Sequence, residues 1–132
     1  LRFMVGCIRD RDRLTMAMRG IDVCIHTAAL KRIEVGYYSP SEMLYTNVIG
    51  AQNVIDACFS AGVKKSVFLS TDKAYQGISA YGQSKALAES LFMAANNMHG
   101  SHGPKYLVTR FGNVWGSTGS IAPNWKSMIA NG

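Results

Sequence analysis

Long apolar runs and metal-type cysteine spacings are both missing from this 132-residue sequence. No stretch approaches the roughly 20 consecutive apolar residues of a membrane-spanning helix, and no basic-then-apolar leader with a small-residue cleavage site opens the chain. Cys7, Cys24 and Cys58 are widely spaced, whereas metal sites favour C-x-x-C spacings and secreted disulfide frameworks favour even counts. We therefore expect a cytoplasmic protein without membrane association or bound metal, whose cysteines are reduced core residues.

Clustered basic residues and aromatic ladders, the usual features of nucleic-acid-binding proteins, are also missing. The formal net charge is +6 and the pI is about 9.4, but the 14 lysines and arginines are dispersed along the chain. A dispersed basic excess also suits the phosphates of a dinucleotide or a nucleotide sugar. We expect no nucleic-acid partner, although the charge by itself does not separate phosphate binding from a solvated surface.

A glycine-rich phosphate turn is the third absence. No G-x-G-x-x-G or G-x-x-G-x-x-G precedes a helix, although dinucleotide-binding folds normally hold the pyrophosphate in such a turn. The chain begins directly on an apolar run at Leu1 and stops at Gly132, where a helical pattern is forming. We expect residues 1–132 to be one incomplete domain, without its first strand, its glycine-rich turn and a C-terminal substrate lobe.

The sequence does contain short apolar runs that alternate with longer helical patterns. The runs at residues 2–5, 23–27, 65–70 and 106–110 do not alternate with polar positions, which predicts strands buried on both faces of a parallel sheet. The order of strands and helices indicates an α/β fold with a doubly wound parallel sheet. In such a sheet, ligands bind at the carboxyl ends of the strands.

Three helices are predicted between these strands. Residues 39–42 combine a capping serine, a proline at the first helical position and a glutamate three residues after the cap. Apolar residues at spacings of three and four extend this helix to about Ala61. The other two helices are expected at residues 11–18 and from near Ser79 to the Asn96-Asn97 break.

Tyr81 and Lys85 are the main candidates for chemistry. They lie four residues apart on a predicted helix, so both side chains project from one face. A free phenol has a pKa of about 10, and a neighbouring ammonium lowers it, which gives a workable base. This spacing recurs by chance in surface helices, but Ser70 and Thr71 bring hydroxyls to the same edge of the sheet. The combination suits oxidation of a sugar or alcohol by a nicotinamide cofactor.

Five segments, in order, resemble the extended short-chain dehydrogenase/reductases, and within them the inverting UDP-N-acetylglucosamine 4,6-dehydratases of polysaccharide biosynthesis. They are residues 25–31, 46–50, 69–74, 81–85 and 110–114. The resemblance implies a Rossmann-like fold, a bound NADP with NAD as the alternative, and UDP-N-acetylglucosamine or a related UDP-sugar as substrate. It also implies a homo-oligomer for the full-length protein. The stretch from Asn96 to Ser101 is most similar to the enzymes that begin pseudaminic acid synthesis.

The resemblance further implies roles for individual residues. Asp72 and Lys73 follow Thr71, where retaining dehydratases carry an acid pair and 4-epimerases carry small residues. Lys73 would remove the C5 proton and Asp72 would protonate the departing C6 hydroxyl, a role that requires a raised pKa for Asp72. The implied catalytic residues are Thr71, Asp72, Lys73, Tyr81 and Lys85.

Binding residues are implied in the same way. The cofactor would contact Cys7, Ile8, Ala28, Ala29, Lys31, Ser70, Tyr81, Lys85, Phe111 and Gly112. The substrate would contact Lys31, Asp72, Lys73 and Asn113. From the residues themselves, Asn113 is equally well read as a turn asparagine, and Asp72-Lys73 as an exposed pair that caps the next turn. Asn47, in the middle of a helix, is expected to make a buried polar contact that shapes the site. His26 is expected to be a strand residue with a satisfied ring.

The sequence departs from the dehydratase pattern at several positions. Cys7 replaces an aspartate beside the adenine, and Thr118 replaces an arginine near the diphosphate, so both contacts are expected to weaken. Gln76-Gly77 and Ser79 replace other residues, so a looser loop is expected before Tyr81. Two other functions stay open: a 4-epimerase or reductase that does not need Asp72 and Lys73, and a non-catalytic nucleotide-binding or oligomerisation remnant.

Overall fold

The structure, a computed structural model, describes residues 1–117 and 121–131. Its helices and strands are α1 (Arg11–Met18), β1 (Val23–His26), α2 (Ile33–Tyr38), α3 (Pro40–Met43), a π-helical segment (Leu44–Ile49), α4 (Gly50–Ser60), β2 (Lys65–Leu69), α5 (Ala80–His99), β3 (Lys105–Thr109) and α6 (Ile121–Asn131), with short 3-10 turns at Asp72–Ala74 and Gly100–His102. Within the described residues, β1, β2 and β3 pair in that order as a parallel sheet. The predicted α/β fold with a parallel sheet is confirmed.

The strand register brings the carboxyl ends of β1, β2 and β3 to one edge of the sheet. His26 pairs with Phe68, and Leu69 pairs with Thr109. Backbone pairing continues past the strands, because Ser70 N donates to Thr109 O over 2.7 Å and Asp72 N donates to Phe111 O over 3.1 Å. The residues that follow β2 and β3 are therefore held side by side.

The predicted strand at residues 2–5 does not form. This segment lies exposed and is held against α1 by two hydrogen bonds: Arg13 Nε donates to Val5 O over 2.8 Å, and Arg2 Nη2 donates to Arg19 O over 2.9 Å. Burial on both faces is also wrong for β1 and β3, because Ile25 is 63% exposed and Val23 and Leu107 are exposed as well. An apolar run indicates extended backbone, but only a paired neighbour and a covering layer make it a buried strand.

The predicted helix from residue 39 to 61 forms as one continuous helical run from Pro40 to Ser60, with the π-helical segment in its middle, and Gly62, whose φ is +73°, follows its end. Ser39 occupies the N-cap of α3 without a side-chain capping bond, and the π-helical segment separates α3 from α4. The preceding helix α2 was not predicted. Helix α5 runs past the expected break at Asn96 and ends before Gly100, whose φ is +57°. Asn96 does not interrupt α5 because its side chain bonds the backbone N and O of Tyr106 in β3.

The core lies between the sheet and helices α4 and α5. Phe68 of β2 and Phe92 of α5 are buried, and their ring centroids lie 4.9 Å apart. Val54, Ile55 and Cys58 of α4 belong to the same cluster. Cys58 is therefore the expected core cysteine, but Cys7 is exposed and Cys24 is only half-buried, so that expectation is wrong for these two. This core forms the floor beneath the carboxyl edge of the sheet. No helix of the described residues is long and apolar enough to cross a membrane.

His26 extends this aromatic stack to β1. It is 3% exposed, and its ring lies 5.2 Å from that of Phe68 and 6.1 Å from that of Phe92. Its Nε2 atom has no hydrogen-bond partner among the described residues, so the expectation of a satisfied ring is wrong. Burial lowers the His26 pKa to about 4, with the Lys85 charge as the second cause.

We expect this histidine to make folding sensitive to acid. The unfolded chain takes up a proton at His26 near pH 6.5, whereas the folded chain does so only near its lowered pKa. Stability contributed by the neutral ring is therefore lost as the pH falls from 6.5 towards 4, up to about 3 kcal/mol. Denaturant unfolding at several pH values should show a shallower acid loss for His26→Leu. The exposed His102→Asn variant serves as control, and an unchanged slope for His26→Leu would contradict the assignment.

Candidate active site

A cleft of about 700 Å³ lies at the carboxyl edge of the sheet. It is lined by the loop after β1, the residues after β2 and β3, and the first turns of α5. Of the residues proposed from the sequence, it contains Ala29, Lys31, Ser70, Thr71, Lys73, Tyr81, Lys85, Phe111, Gly112 and Asn113. Asp72 adjoins it through hydrogen bonds to Thr71 and Lys73. The structure thus brings residues from four separate segments into one space.

Tyr81 is positioned by close packing at the start of α5. Ser79 caps the helix by accepting a hydrogen bond from Gly82 N over 3.1 Å, which places Tyr81 in the first turn. A Cβ atom at Gly82 would overlap the carbonyl oxygen of Lys73, so only glycine allows this approach. The backbone of Gly77 also packs against Gly82 without room for a side chain. These contacts give the loop before Tyr81 a defined position beside the Asp72–Ala74 turn.

Burial has the largest effect on the pKa of the Tyr81 phenol. It is half-buried, and this burial raises its pKa above the usual value, while the Thr71 hydroxyl and the Lys73 charge lower it by less. The expected lowering of the Tyr81 pKa by an ammonium is therefore wrong for the chain by itself. A role as base requires a further positive charge or hydrogen bond to the phenolate.

Lys85 lies deeper in the cleft, one turn after Tyr81. It is 3% exposed, its Nζ donates to Leu69 O over 2.7 Å, and the ammonium lies 3.9 Å from the centre of the Phe68 ring. Burial lowers the Lys85 pKa to about 8, and the Glu89 charge opposes that shift. Lys85 is thus a buried cation close to losing its proton at neutral pH.

Asp72, Lys73 and Asn113 form a polar network opposite Tyr81. The Thr71 hydroxyl donates to Asp72 Oδ1 over 2.9 Å, and Lys73 Nζ lies 3.2 Å from Asp72 Oδ1 and 3.3 Å from Asn113 Oδ1. The hydrogen bonds from Thr71 and then Lys73 lower the pKa of the exposed Asp72 carboxyl. This direction is opposite to the one that an acid needs, so bound substrate would have to reverse it.

Asn47 connects the loop after β1 to helix α5. It is 1% exposed; Leu30 N donates to its Oδ1 over 2.8 Å, and its Nδ2 donates to Leu30 O over 2.9 Å and to Ser84 Oγ over 3.0 Å. Asn47 lies in the π-helical segment, a geometry common at functional sites. The structure shows the buried polar contact expected of this asparagine, which fixes Leu30 next to the residue before Lys85.

Three of the residues proposed for the cofactor lie outside the main cleft. Cys7, Ile8 and Ala28 line a second groove of about 280 Å³, between the N-terminal segment and β1. Thr27 lines both spaces, so the two grooves meet at the end of β1. Asn53 Nδ2 donates to the carbonyls of Ile8 and Arg9 over 3.1 Å and holds the outer wall of the second groove.

The two grooves share Thr27 as a lining residue. One long ligand could lie across both, with small side chains at Ala28 and Ala29 leaving the backbone accessible, and the buried Lys85 cation at one end. Thr118 lies outside the described residues, so its effect on diphosphate binding stays a prediction. In the described part of the chain, no group of three or more His, Cys, Asp or Glu side chains could hold a metal ion.

Some residues that line the cleft were not predicted. Arg32 and Glu34 follow the loop after β1, Val114 and Ser117 follow Asn113, and Asn124 comes from α6. Arg32 could have been found from its place beside Lys31. Asn124 carries no such signal, because its position depends on how α6 packs.

Comparison with curated proteins gives full-length matches to this chain. An inverting UDP-N-acetylglucosamine 4,6-dehydratase from Campylobacter jejuni is 50% identical over 132 residues, which is 100% of this chain and 40% of that protein. A UDP-glucose 4-epimerase from Rickettsia akari is 42% identical over 100% of this chain and 39% of its own length. The chain therefore spans about 40% of the length of these relatives.

Solved structures agree with the fold. The structure of Pen from Bacillus thuringiensis superposes with a TM-score of 0.91 at 40% identity, over 98% of this chain and 41% of Pen. The dTDP-glucose 4,6-dehydratase DesIV from Streptomyces venezuelae, solved as a double mutant with NAD bound, superposes with a TM-score of 0.79 at 26% identity, over 99% of this chain and 45% of DesIV. The Rossmann-like fold and the resemblance to the inverting dehydratases are confirmed. Because the family model described as polysaccharide biosynthesis protein matches residues 1–132, the chain belongs to that family.

Proposed function

We propose that the protein containing this chain is a sugar-nucleotide 4,6-dehydratase that acts on UDP-N-acetylglucosamine and inverts C5. The observation that carries the proposal is the hydrogen-bonded network of Asp72, Lys73 and Asn113 beside Tyr81. A site for C4 oxidation alone needs a base and a cofactor. A second acid–base pair at the same cleft is what elimination of water additionally requires.

Tyr81, Lys85, Lys73 and Asp72 each have a defined role in the proposed reaction. Tyr81 takes the proton of the C4 hydroxyl, and the Thr71 hydroxyl and the Lys73 charge favour its phenolate. Lys85 is proposed to hold the cofactor, whose oxidised ring would carry the further positive charge. When bound, the nicotinamide supplies the acceptor for C4 oxidation and the donor that later reduces C6.

Dehydration requires the proton shared between Lys73 and Asp72 to lie on Asp72. The neutral Lys73 amine then removes the C5 proton, which the C4 ketone has made acidic, and the Asp72 carboxylic acid protonates the departing hydroxyl. After hydride has returned to C6, a proton added to C5 from the opposite face completes the inversion.

NADP is the proposed cofactor, with NAD as the alternative. The two joined grooves support a dinucleotide of either kind, and the similar dehydratase DesIV was solved with NAD. Asn113, held beside Lys73, is proposed to contact the nucleotide sugar. We propose a homo-oligomer for the whole protein.

A 4-epimerase is the second candidate, because a relative named as a UDP-glucose 4-epimerase is 42% identical. Epimerisation would use Tyr81 and Lys85 but would leave Asp72 and Lys73 without a task. The network that these two residues form with Asn113 therefore favours the dehydratase.

One assay separates these functions. The longest natural protein that contains this sequence is incubated with UDP-N-acetylglucosamine in deuterated water, and the product is analysed by mass spectrometry and NMR. We expect a 4-keto-6-deoxy sugar with deuterium at C5 and inverted configuration. A product changed only at C4 would establish the epimerase. A folded, cofactor-loaded protein without any product would establish a non-catalytic role.

A further inference from the structure

Glu89 is a buried carboxylate that the proposed chemistry does not use. It is 9% exposed and lies on α5, four residues after Lys85 and eight after Tyr81, so the three side chains share one helix face. A carboxylate is seldom buried unless it is paired, because removal from water is costly. Its partner therefore indicates why it is there.

That partner is Arg110, the first residue after β3. Arg110 Nε donates to Glu89 Oε1 over 2.8 Å, and Nη2 donates to Oε2 over 2.6 Å. Two parallel charge-assisted hydrogen bonds fix both the orientation of the Arg110 guanidinium and its distance from the Glu89 carboxylate. Arg110 is also directly bonded in sequence to the segment 111–113, which contributes Phe111, Gly112 and Asn113 to the cleft.

A continuous path of contacts leads from this pair to the catalytic network. Arg110 holds the start of segment 111–113, Phe111 O accepts from Asp72 N over 3.1 Å, and Asn113 Oδ1 accepts from Lys73 Nζ over 3.3 Å. The position of Asn113 relative to α5 therefore depends on the Glu89–Arg110 pair.

The geometry points to Glu89, clamped by Arg110, as a positioning residue that fixes segment 111–113 and its substrate-binding Asn113 against the helix carrying Tyr81 and Lys85. This inference rests on the proposed function for the identity of the substrate. It adds to it a residue that touches neither substrate nor cofactor.

The Glu89 charge has a second effect on the same helix. Besides Glu89, His26 on β1 interacts electrostatically with Lys85, and the other charged or titratable residues that line the same cleft are Lys31, Arg32, Glu34, Lys73 and Tyr81. Burial lowers the Lys85 pKa, and the Glu89 charge is what opposes this. The hydrogen bond from Arg110 keeps the pKa of Glu89 below its usual value, with the Ser70 hydroxyl and Lys85 contributing, so this negative charge is present at neutral pH.

The first test is Arg110→Lys, which keeps the positive charge but removes the planar guanidinium that makes two parallel hydrogen bonds to Glu89. We expect uridine diphosphate, measured by calorimetry on the cofactor-loaded protein, to bind about tenfold more weakly, the loss that corresponds to about one hydrogen bond. In turnover, KM should rise by a similar factor while kcat changes little. The control is Arg11→Lys, an exposed site on α1.

The second test is Glu89→Gln, which keeps the shape and removes the charge. We expect the same weakening of uridine diphosphate binding, and the basic limb of the pH–kcat profile should move to lower pH by about one unit, because Lys85 loses its proton earlier. A purely structural role would not move this limb. The inference is overturned if both variants bind uridine diphosphate with the wild-type affinity. It is also overturned if the basic limb of the pH–kcat profile does not move in Glu89→Gln.

The two proposals fail separately. If the wild-type protein binds uridine diphosphate but forms no 4-keto-6-deoxy sugar, the dehydratase assignment is lost, and the affinities of the two variants still decide the role of the pair. If Glu89→Gln does not fold, as judged by circular dichroism, the uridine diphosphate affinity and KM of Arg110→Lys decide it.

Discussion

Replacement of Tyr81 by phenylalanine is expected to slow C4 oxidation roughly a thousandfold, the usual contribution of a positioned acid or base. The phenol is the one half-buried acid–base group on α5 that lies beside Thr71, and phenylalanine keeps its packing while removing the proton acceptor. The measurement is a single turnover followed by the absorbance of the reduced nicotinamide. Uridine diphosphate binding should be unchanged.

The matched control for this variant is Tyr75→Phe. Tyr75 lies just after the Asp72–Ala74 turn and is exposed, so loss of its hydroxyl should leave the rate unchanged. A Tyr81→Phe protein that reduces its cofactor at the wild-type rate would remove this residue from the mechanism.

Lys73→Ala is expected to separate oxidation from dehydration. Tyr81 and Lys85 remain in place, so the cofactor should still be reduced, though with a modest loss because Lys73 helps to lower the Tyr81 pKa. Removal of the C5 proton should fall by roughly a thousandfold, the usual contribution of a general base. The reaction should therefore stop at the 4-keto sugar with its C6 hydroxyl retained and no deuterium at C5.

Lys64→Ala is the control for this second variant, because Lys64 is exposed and forms an ion pair with Asp22 over 2.8 Å, a surface pair of little energetic consequence. Equal losses of oxidation and dehydration in Lys73→Ala would contradict the base assignment. They would show that Lys73 acts through the Tyr81 phenol, whose pKa its charge lowers.

The spacing of residues along the chain was enough to predict much of the candidate active site. Tyr81 and Lys85 share a helix face because side chains four residues apart always do, and the structure shows both in one cleft. Ser70 and Thr71 follow β2, and the parallel sheet brings the ends of its strands to one edge. These features could be predicted because they depend on short stretches of sequence and on a general rule: ligands of a parallel sheet bind at the carboxyl ends of its strands.

Features set by contacts between distant residues could not be read in this way. The π-helical segment was missed because an apolar pattern with spacings of three and four does not reveal an irregular turn at Asn47. Residues 2–5 have a strand composition but no paired neighbour among the described residues. The pKa of Tyr81 had the wrong expected direction because the sequence shows the nearby lysines but not how deeply the phenol is buried.

The contact between Gly82 and the Lys73 carbonyl has a practical consequence for enzyme engineering. The residues proposed for dehydration and those proposed for oxidation come from different elements, which suggests that they could be exchanged between homologues as independent modules. The close packing at Gly82 prevents such an exchange. The first turn of α5 lies so near the Lys73 carbonyl that a turn with a backbone path different from that of Asp72–Ala74 would clash with it. Chimeras and mutant libraries that aim to change one reaction into the other should therefore transfer residues 71–85 as one block.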